Sequence, residues 1–330
     1  MMKDKVLGCL YGMAIGDAMG MPSEFWSRRK IKEYFGTITE FLDGPEENDI
    51  AMYYKKGEYT DDTHQAVVIL NSLIEDKFKV NSGTIAKNLT KWAIDNDAFN
   101  KNILGPSSKA ALLAIKEGKD ATVYTSKAET NGAAMRIAPI GCLFSSDNNG
   151  LLEYVASISK TTHGTDVAIG GACMIAAAVS GAMDNKSWDE IIKIAFDGYE
   201  NGRKLGFETS SPSLRERAEL GVYYADKFKD DEEAFVDKIF NVIGAGVQTS
   251  ESVPAAIAIA YYAKTPEKCS ILCANLGGDT DTVGAMAAAI CGAKVGIGEI
   301  SKDYVKLINE SNNIDFTRYA DEILKFRNNI

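Results

Sequence analysis

The hydrophobic positions along the chain recur mostly three and four residues apart, which is the spacing of one face of an α-helix. Alternation of apolar and polar residues is nearly absent, and the best strand candidate is the short stretch 36–42, GTITEFL. No strand–helix alternation appears, which disfavours Rossmann and P-loop folds. The pattern predicts helices over residues 62–76, 84–95, 107–117, 151–159, 166–183, 187–198, 213–228, 232–244, 253–263, 267–275, 282–293 and 316–327.

Small residues in three of these segments indicate a tightly packed centre. Residues 166–183, 253–260 and 282–293 are built largely from Ala, Gly and Ser, which let helix axes approach closely in a compact bundle. The irregular segment 27–59 is predicted to be a long surface loop, and loops of this length are often functional. With no fixed repeat and no Pro/Gly/Ser-rich linker, the prediction is one all-α domain over residues 1–330.

Charge and cysteine content exclude several classes of protein. The chain has 36 basic and 46 acidic residues, a net charge of −10, whereas a general nucleic-acid-binding protein would carry a basic face. Six cysteines form no disulfide or zinc pattern, so buried reduced thiols and a cytoplasmic location are expected. The uncharged run 167–183 is short and only weakly hydrophobic, so we expect a buried helix and no membrane partner. Only eight residues precede Cys9, too few for a signal peptide.

Two predicted helices begin with more acidic side chains than capping requires. The segments are YTDDT at 59–63 and DTDT at 279–282. One side chain caps a helix, and Asp62 is the predicted N-cap of the first, with Gln65 three residues later in a capping-box-like arrangement. If the two starts meet, four carboxylates and two hydroxyls converge, from Thr60, Asp61, Asp62, Asp279, Asp281 and Thr282. Such a set favours hard divalent cations, Mg²⁺, Mn²⁺ or Ca²⁺, and four carboxylates would balance the charge of two of them.

Six segments resemble the ADP-ribosylglycohydrolase family. They occur in the family's order from residue 8 to about 295 and read GCLYGMAIGDAMGMPSE, YTDDT, LGPSSKAAL, NGAAMRIAPIG, TTHGTDVAIGGA and NLGGDTDTVGAMAAAICG. The resemblance implies a compact all-α multi-helix bundle around a central two-metal site, usually holding Mg²⁺ or Mn²⁺. It also implies a glycosidic-bond hydrolase.

The resemblance assigns roles to individual residues. Thr60, Asp61 and Asp62 match one half of the metal site, and Asp279, Asp281 and Thr282 match the other half. Glu24 matches an acidic residue that approaches the metals and the scissile bond in part of the family, so it is the candidate catalytic residue. Three further segments match loops that surround ADP-ribose, which implies substrate contacts from Gly105, Ser107, Thr130, Asn131, Gly132, Arg136 and His163.

Each of these roles has a plainer alternative. Glu24 is otherwise a solvated loop acid, and residues 130–134 form either a phosphate-binding loop or a tight turn before a helix. Arg136 faces either a phosphate or a buried acid, and His163 is either a ligand contact or a structural histidine. For His64, Tyr53, Tyr54 and Phe99, helix-face or packing roles are favoured over substrate contacts.

Departures from the family pattern limit what the resemblance implies about the substrate. THGTD at 162–166 lacks the second His and the Pro of the T-H-x-H-P motif found in some members. NKNILGPSS has Asn102, Ile103 and Leu104 where the arginine-type and nitrogenase-type hydrolases often have an Asp. The protein specificity of those branches is therefore not carried over. The segments GDAMGMPSEFW and FNKNILGPSSK look more like bacterial members that accompany sugar kinases and nucleoside permeases.

The predicted function is metal-dependent cleavage of the glycosidic bond at ribose C1 of an ADP-ribosylated protein or small molecule. One alternative is an N-glycoside hydrolase of a nucleoside or modified nucleoside. Another is a non-catalytic ADP-ribose-binding or crystallin-like relative. The expected partner is therefore a small-molecule or protein-linked ADP-ribosyl or nucleoside-type substrate, and no nucleic acid is expected.

Overall fold

The computed structural model describes residues 2–101 and 103–329, and these fold into helices joined by short turns and irregular segments. The predicted all-α class is confirmed. The α-helices are α1 (Met2–Gly20), α2 (Arg28–Phe35), α3 (Asp61–Glu75), α4 (Ser82–Asp95), α5 (Pro106–Lys116), α6 (Thr122–Thr125), α7 (Ala138–Gly141), α8 (Leu151–Ser159), α9 (Asp166–Met183), α10 (Trp188–Gly202), α11 (Leu214–Lys227), α12 (Glu232–Lys238), α13 (Thr249–Ala263), α14 (Pro266–Ala274), α15 (Thr280–Val295), α16 (Lys302–Asn312) and α17 (Thr317–Arg327). Short 3₁₀ turns occupy Met21–Ser23, Ala51–Tyr53, Asn131–Ala133, Arg203–Leu205 and Ile297–Glu299.

The centre of the fold is formed by α1, α9, α13, α14 and α15, which pack against one another. All residues of α9 are buried, and so is α15 from Thr280 to Ala293. Helices α8, α10 and α11 pack around this centre. The three segments of small residues therefore form α9, α13 and α15, and these helices pack together at the centre as predicted.

Helices α1 and α15 run antiparallel with their backbones in contact. A Cβ atom added at Gly16 would lie 2.1 Å from the carbonyl oxygen of Gly284, and one added at Gly8 would lie 2.2 Å from that of Gly292. Only glycine permits this approach, because any larger side chain meets backbone atoms that cannot move aside. The contact brings the end of α1 to the beginning of α15, where the Thr280 hydroxyl donates to the Gly20 carbonyl at 2.8 Å.

The strand predicted over residues 36–42 is wrong. These residues are irregular, and among the described residues the only β-type pairings are two isolated bridges, Thr130 with Gln248 and Thr165 with Phe207. Both backbone groups of Ile38, its N–H and its carbonyl, are bonded to the side-chain amide of Asn275. This amide accepts from the Ile38 N–H at 2.9 Å and donates to the Ile38 carbonyl at 2.8 Å. A side-chain amide thus makes the bonds that a neighbouring strand would supply.

Five α-helices were not predicted: α1, α2, α16 and the two four-residue helices α6 and α7. Helix α1 is buried on nearly every side from Gly8 onward, so it has no polar face, and its glycines lower its helix propensity. Helix α2 lies within the predicted loop 27–59, whose remainder is mostly irregular, and α16 lies near the C-terminus. The helix predicted over 232–244 ends at Lys238 and continues as a π-helical turn, Ile239–Ile243.

Cysteine burial agrees with the sequence-based prediction. All six cysteines are free and buried. Helix α9 is long and apolar enough to cross a membrane, yet its whole length lies inside the protein. A buried core helix can be as long and as apolar as a membrane-spanning helix, so length and composition do not distinguish the two.

Candidate active site

The two acid-rich helix starts meet at the C-terminal end of α1. The Thr60 hydroxyl at the start of α3 donates to a carboxylate oxygen of Asp281 at 3.3 Å. Two groups of carboxylates have oxygen atoms within 4.8 Å of one another: Asp17, Asp62 and Asp281, and Glu24, Asp279 and Asp281. The two groups share Asp281, so the predicted halves form one continuous cluster.

Asp17 is a member of this cluster that sequence reasoning did not predict as a site residue. It is fully buried on α1. One oxygen accepts from the Thr60 N–H at 2.8 Å, and the other accepts from the N–H and hydroxyl of Thr63 at 3.0 and 2.6 Å. Asp17 therefore satisfies the first N–H groups of α3, a task usually done by a residue of the same helix. The sequence feature that could have identified Asp17 is its position as the single charged residue of the apolar segment 8–22.

The start of α3 differs from the prediction. The N-cap is Thr60, not Asp62, and its hydroxyl accepts from the Asp62 N–H at 3.5 Å. The predicted capping box does not form, because Gln65 is engaged elsewhere. Its amide donates to Asp61 at 2.6 Å, and its carbonyl oxygen accepts from the guanidinium of Arg136. Gln65 thus connects an acidic residue of the cluster to a buried cation.

The start of α15 is held by a different set of contacts. Asp279 occupies the N-cap position without a side-chain capping bond. Its carboxylate instead accepts from the Asn131 amide at 2.5 Å, and that amide also donates to Ser252 at 3.0 Å. The Asn131 N–H donates to the Val247 carbonyl at 2.9 Å. These bonds fasten the 130–134 loop directly to the acidic cluster.

The cluster opens into a cavity of about 340 Å³. Four of the predicted substrate residues line it, namely Gly105, Thr130, Asn131 and Gly132, as do Glu24, Asp61, Asp62, Asp279, Asp281 and Thr282. Ser107 lines an adjoining groove that shares Thr130 with the cavity, and the neighbouring Ser108 lines the cavity itself. Residues not predicted as site residues complete the lining: Phe25, Ile50, Ile103, Leu104, Pro106, Ser108, Lys109, Met135 and Val247.

Arg136 and His163 lie behind the cavity wall. Both are buried, and the guanidinium of Arg136 donates to Gln65 and to the Thr162 hydroxyl. His163 Nδ1 lies 2.8 Å from that hydroxyl, and its Nε2 lies 3.1 Å from the Thr130 hydroxyl. The placement of His163 favours the structural role, whereas the hydrogen-bond partners of Arg136 are Gln65 and Thr162, so its link to the acid Asp61 runs through Gln65. Both residues support the site from behind.

The direction of the hydrogen bonds around His163 follows from its charge. Burial, followed by the nearby Arg136, lowers the pKa of His163 to about 3, so the ring is neutral. Because the Thr162 oxygen accepts from Arg136, we assign the Thr162 proton to His163 Nδ1, and Nε2–H then donates to Thr130. A chain of hydrogen bonds therefore runs from Asp61 through Gln65, Arg136, Thr162 and His163 to the substrate-side residue Thr130.

The electrostatics of the cluster call for added positive charge. Burial raises the pKa of Asp61 to about 8 and those of Asp17 and Asp279 to about 6. Burial and the neighbouring carboxylates hold the pKa values of Glu24, Asp62 and Asp281 well above their usual range. Burial also lowers the pKa of Arg136, to about 10.

Two oxygens in the cluster, Asp62 Oδ2 and Asp281 Oδ1, are buried without a hydrogen-bond partner. An unpartnered buried carboxylate oxygen is costly unless a cation binds it. The donors are all hard oxygens, the ligand type that Mg²⁺ and Mn²⁺ prefer. The residues present therefore fit divalent cations.

Comparison with known proteins agrees with this architecture. The family model described as ADP-ribosylglycohydrolase matches residues 1–329. The chain belongs to the ADP-ribosylglycohydrolase family. The uncharacterized protein YegU of Escherichia coli is 44% identical to it over 99% of this chain and 98% of its own length. The ADP-ribosyl-[dinitrogen reductase] glycohydrolase of Rhodospirillum rubrum is 21% identical, covering 97% of this chain and 96% of its own.

A solved structure has the same fold. The ADP-ribosylglycohydrolase-related protein complex superposes with a TM-score of 0.73 at 22% identity, covering 99% of both chains. The family resemblance drawn from six sequence segments is thus confirmed, and the chain is a member of a glycohydrolase family.

Proposed function

We propose that this protein is a divalent-metal-dependent glycohydrolase that cleaves the bond at ribose C1 of an ADP-ribosyl group carried by a protein or a small molecule. The observation that carries the proposal is the convergence of six carboxyl groups, from α1, α3, α15 and the turn after α1, beside one cavity. Family membership supports the reaction class. A relative named as an ADP-ribosyl glycohydrolase supports the substrate class.

The two carboxylate groups that share Asp281 would hold two cations, Mg²⁺ or Mn²⁺. Thr60, Asp61 and Thr282 supply further oxygen donors beside them. When bound, such a pair of ions lowers the pKa of a coordinated water and orients sugar hydroxyls. Asp281 is the residue on which both positions depend, so it is the most sensitive point of the site.

Glu24 is proposed to exchange a proton during the reaction. Cleavage at a ribose C1 passes through an oxocarbenium-like state, in which the leaving atom gains a proton and the attacking water loses one. Glu24 lines the cavity, and among the described residues no hydrogen bond engages its carboxylate. Burial and the nearby Asp281 raise the pKa of Glu24 in the metal-free site, so a proton on this carboxyl is the alternative to a bound cation.

The loops on the other side of the cavity are proposed to hold the ribose and phosphates. The N-terminal end of α5 lines the cavity through Pro106 and Ser108, and N–H groups at a helix start suit a phosphate. Asn131 and Gly132 begin a 3₁₀ turn on the same wall. The chain of buried hydrogen bonds ending at Thr130 fixes this wall relative to Asp61.

A specific observation favours a nucleoside or modified nucleoside as the second candidate substrate. Among the described residues that line the cavity, Lys109 is the one cationic side chain. Much of the remaining wall is apolar, formed by residues such as Ile50, Met135 and Val247. A cavity of this kind suits an uncharged base as well as a diphosphate.

A product assay separates these possibilities. The purified protein is incubated with Mg²⁺ or Mn²⁺ and with ADP-ribosyl-arginine, ADP-ribosyl-serine, and natural and modified nucleosides, and the products are separated by mass. Release of ADP-ribose, abolished by EDTA and by Asp281→Ala, is the expected result. Release of ribose and base would show that the protein hydrolyses nucleosides, the second candidate function. Binding of ADP-ribose without turnover of any probe would reject catalysis in favour of a binding role.

A further inference from the structure

Phe25, the residue directly after Glu24, lies in an unusual environment for a large apolar side chain. It is 46% exposed and lines the cavity, whereas its neighbours Glu24 and Trp26 are 9% and 6% exposed. An exposed phenyl ring forgoes the free energy that burial would provide. The packing of the chain alone therefore gives no reason for a phenylalanine here.

The backbone at Phe25 is also unfavourable for any residue except glycine. Its φ angle is +57°, in the left-handed region. Phe25 comes two residues after the 3₁₀ turn Met21–Ser23, and the other described non-glycine residues with positive φ follow the C-terminal ends of α-helices, where a left-handed residue commonly closes the last turn. Those residues are Lys77, Phe78, Asp97, Asn185, Lys264 and Asn313.

The left-handed turn at Phe25 also joins two parts of the candidate active site. The Phe25 N–H donates to the Gly278 carbonyl at 2.7 Å, and the Gly278 N–H donates back to the Trp26 carbonyl at 2.9 Å. The Asn48 amide holds the Glu24 carbonyl at 2.9 Å. The segment that carries Glu24 is thus fixed to the loop that precedes Asp279, and Phe25 lines the same cavity as Glu24.

A glycine would form this turn without strain, as Gly277 and Gly278 do in the facing loop with φ angles of +84° and +82°. Strained residues with no packing reason are found mainly where a protein contacts its ligand. Because Glu24 is proposed to exchange a proton at ribose C1, a large side chain that lines the same cavity directly after Glu24 in the chain is placed to meet the group that leaves there. The position of Phe25 therefore points to a contact with the leaving group.

We propose that Phe25 is a specificity residue whose ring stacks on a flat, nitrogen-linked leaving group at ribose C1, an inference that rests on the function proposed above. Two sources share this chemistry: a nucleobase and the guanidinium of an arginine side chain, both of which stack on a phenyl face. The tetrahedral carbon of an oxygen-linked serine offers no such face. Phe25 thus selects nitrogen-linked over oxygen-linked substrates.

The first experiment measures dissociation constants in the Glu24→Gln variant, in which substrates stay intact. Isothermal titration with Mg²⁺ present compares inosine, ADP-ribosyl-arginine and ADP-ribosyl-serine, with and without Phe25→Leu. Leucine keeps the apolar bulk and removes the aromatic face. We expect binding of at least one nitrogen-linked probe to weaken by about tenfold, the usual size of one stacking contact. Binding of ADP-ribosyl-serine changes by less than about twofold.

The second experiment separates a ligand contact from a structural role. Phe25→Gly relieves the left-handed backbone, so the melting temperature is expected to stay level or rise by about 1–2 °C while nitrogen-linked probes bind about tenfold more weakly. The matched control is Lys264→Gly at the left-handed end of α13. It relieves the same strain far from Glu24 and leaves binding unchanged.

Several results would overturn the inference. One is that Phe25→Leu weakens the binding of all three probes equally, and another is that neither nitrogen-linked probe binds. A third is that the melting temperature falls by several degrees in Phe25→Gly but not in Lys264→Gly. Weakening of inosine only, or of ADP-ribosyl-arginine only, supports it and identifies the source of the leaving group. Stacking without turnover in the wild-type protein would reject the proposed hydrolysis and leave the role of Phe25 intact.

Discussion

The two acid-rich helix starts look alike in sequence, but the structure holds them in different ways. The start of α3 is fixed by side chains. The Asp17 carboxylate accepts from backbone N–H groups at this helix start, and Gln65 donates to Asp61 and accepts from Arg136. The start of α15 is fixed by side-chain bonds, from Asn131 to Asp279 and from Thr280 to Gly20, and also by its backbone, through the close contact of α15 with α1. Both helix starts use side-chain bonds, and the start of α15 adds a direct backbone contact with α1.

This difference shows how a cluster of like charges can be kept in place. No acidic residue of either motif caps the helix that it begins. Thr60 caps α3, with Asp17 of α1 accepting from the Thr60 N–H, and Asp279 makes no side-chain capping bond in α15. The carboxylates are therefore left for the cavity. Other residues bond Asp61 and Asp279, and two buried carboxylate oxygens, Asp62 Oδ2 and Asp281 Oδ1, have no partner.

The largest effect is expected from Asp281→Asn, which removes one charge from both carboxylate groups. We predict a loss of about 10²–10⁴-fold in kcat/KM, measured on the substrate identified by the product assay. The matched control is Asp303→Asn, because Asp303 is also the second residue of its helix, α16, and is exposed. Comparable losses in both variants would contradict a special role for the start of α15.

A smaller effect is expected from Gln65→Leu, which tests the side-chain support of α3. Leucine of similar size removes the amide that donates to Asp61 and the acceptor of one Arg136 nitrogen, while the other nitrogen keeps its bond to Thr162. We predict a loss of about 10–100-fold in metal affinity or activity, with about 1–3 kcal/mol of stability. Metal affinity is measured by titration and stability by urea unfolding.

The control for Gln65→Leu is Asn71→Leu, the same kind of change on the exposed face of α3. Unchanged metal affinity in Gln65→Leu would show that the helix start holds its geometry without the buried chain of hydrogen bonds.

Main-chain packing of α15 is tested by Gly16→Ala. The added methyl group meets the Gly284 carbonyl at 2.1 Å, so the two helices must separate. Overpacking of this kind typically lowers the free energy of unfolding by about 1–3 kcal/mol, which urea unfolding measures. Gly298→Ala is the control, since nothing lies within 4 Å of a Cβ atom there. Equal stability in both variants would contradict the close backbone contact.

The smallest expected effect concerns the pH dependence of the metal-free protein. Burial raises the pKa of Asp61 to about 8 and those of Asp17 and Asp279 to about 6 in the folded state. Between pH 5 and 8 the folded protein therefore binds more protons than the unfolded chain, and stability falls as pH rises. We predict a slope of about 1 kcal/mol per pH unit in EDTA, reduced by Mg²⁺. Stability that rises over this range in EDTA would contradict the buried cluster.

The sequence predicted the parts of the fold and site whose signal is local. Helical spacing located most helices, and the clustered acids of 59–63 and 279–282 predicted a common site. Family motifs added Glu24 and the loops around Gly105 and Asn131. These features depend on residue type and short spacing, which a sequence displays directly.

Features that depend on a distant partner were not predicted. The role of Asp17 requires that α1 end beside α3, and the burial of Arg136 and His163 requires the full packing of α9 and the loops around it. The strand predicted over 36–42 failed because Asn275, over two hundred residues away, satisfies Ile38. Phe25 gave no signal, since left-handed backbone geometry is invisible in the sequence.

The most direct test of the central claim is Mn²⁺ binding followed by electron paramagnetic resonance. If the two helix starts are halves of one site, the wild-type chain binds two Mn²⁺ ions whose spectrum shows coupling between neighbouring ions. Asp281→Asn then loses the coupling, and Asp303→Asn retains it. Binding of no Mn²⁺, or of isolated ions that Asp281→Asn leaves unchanged, would contradict the account.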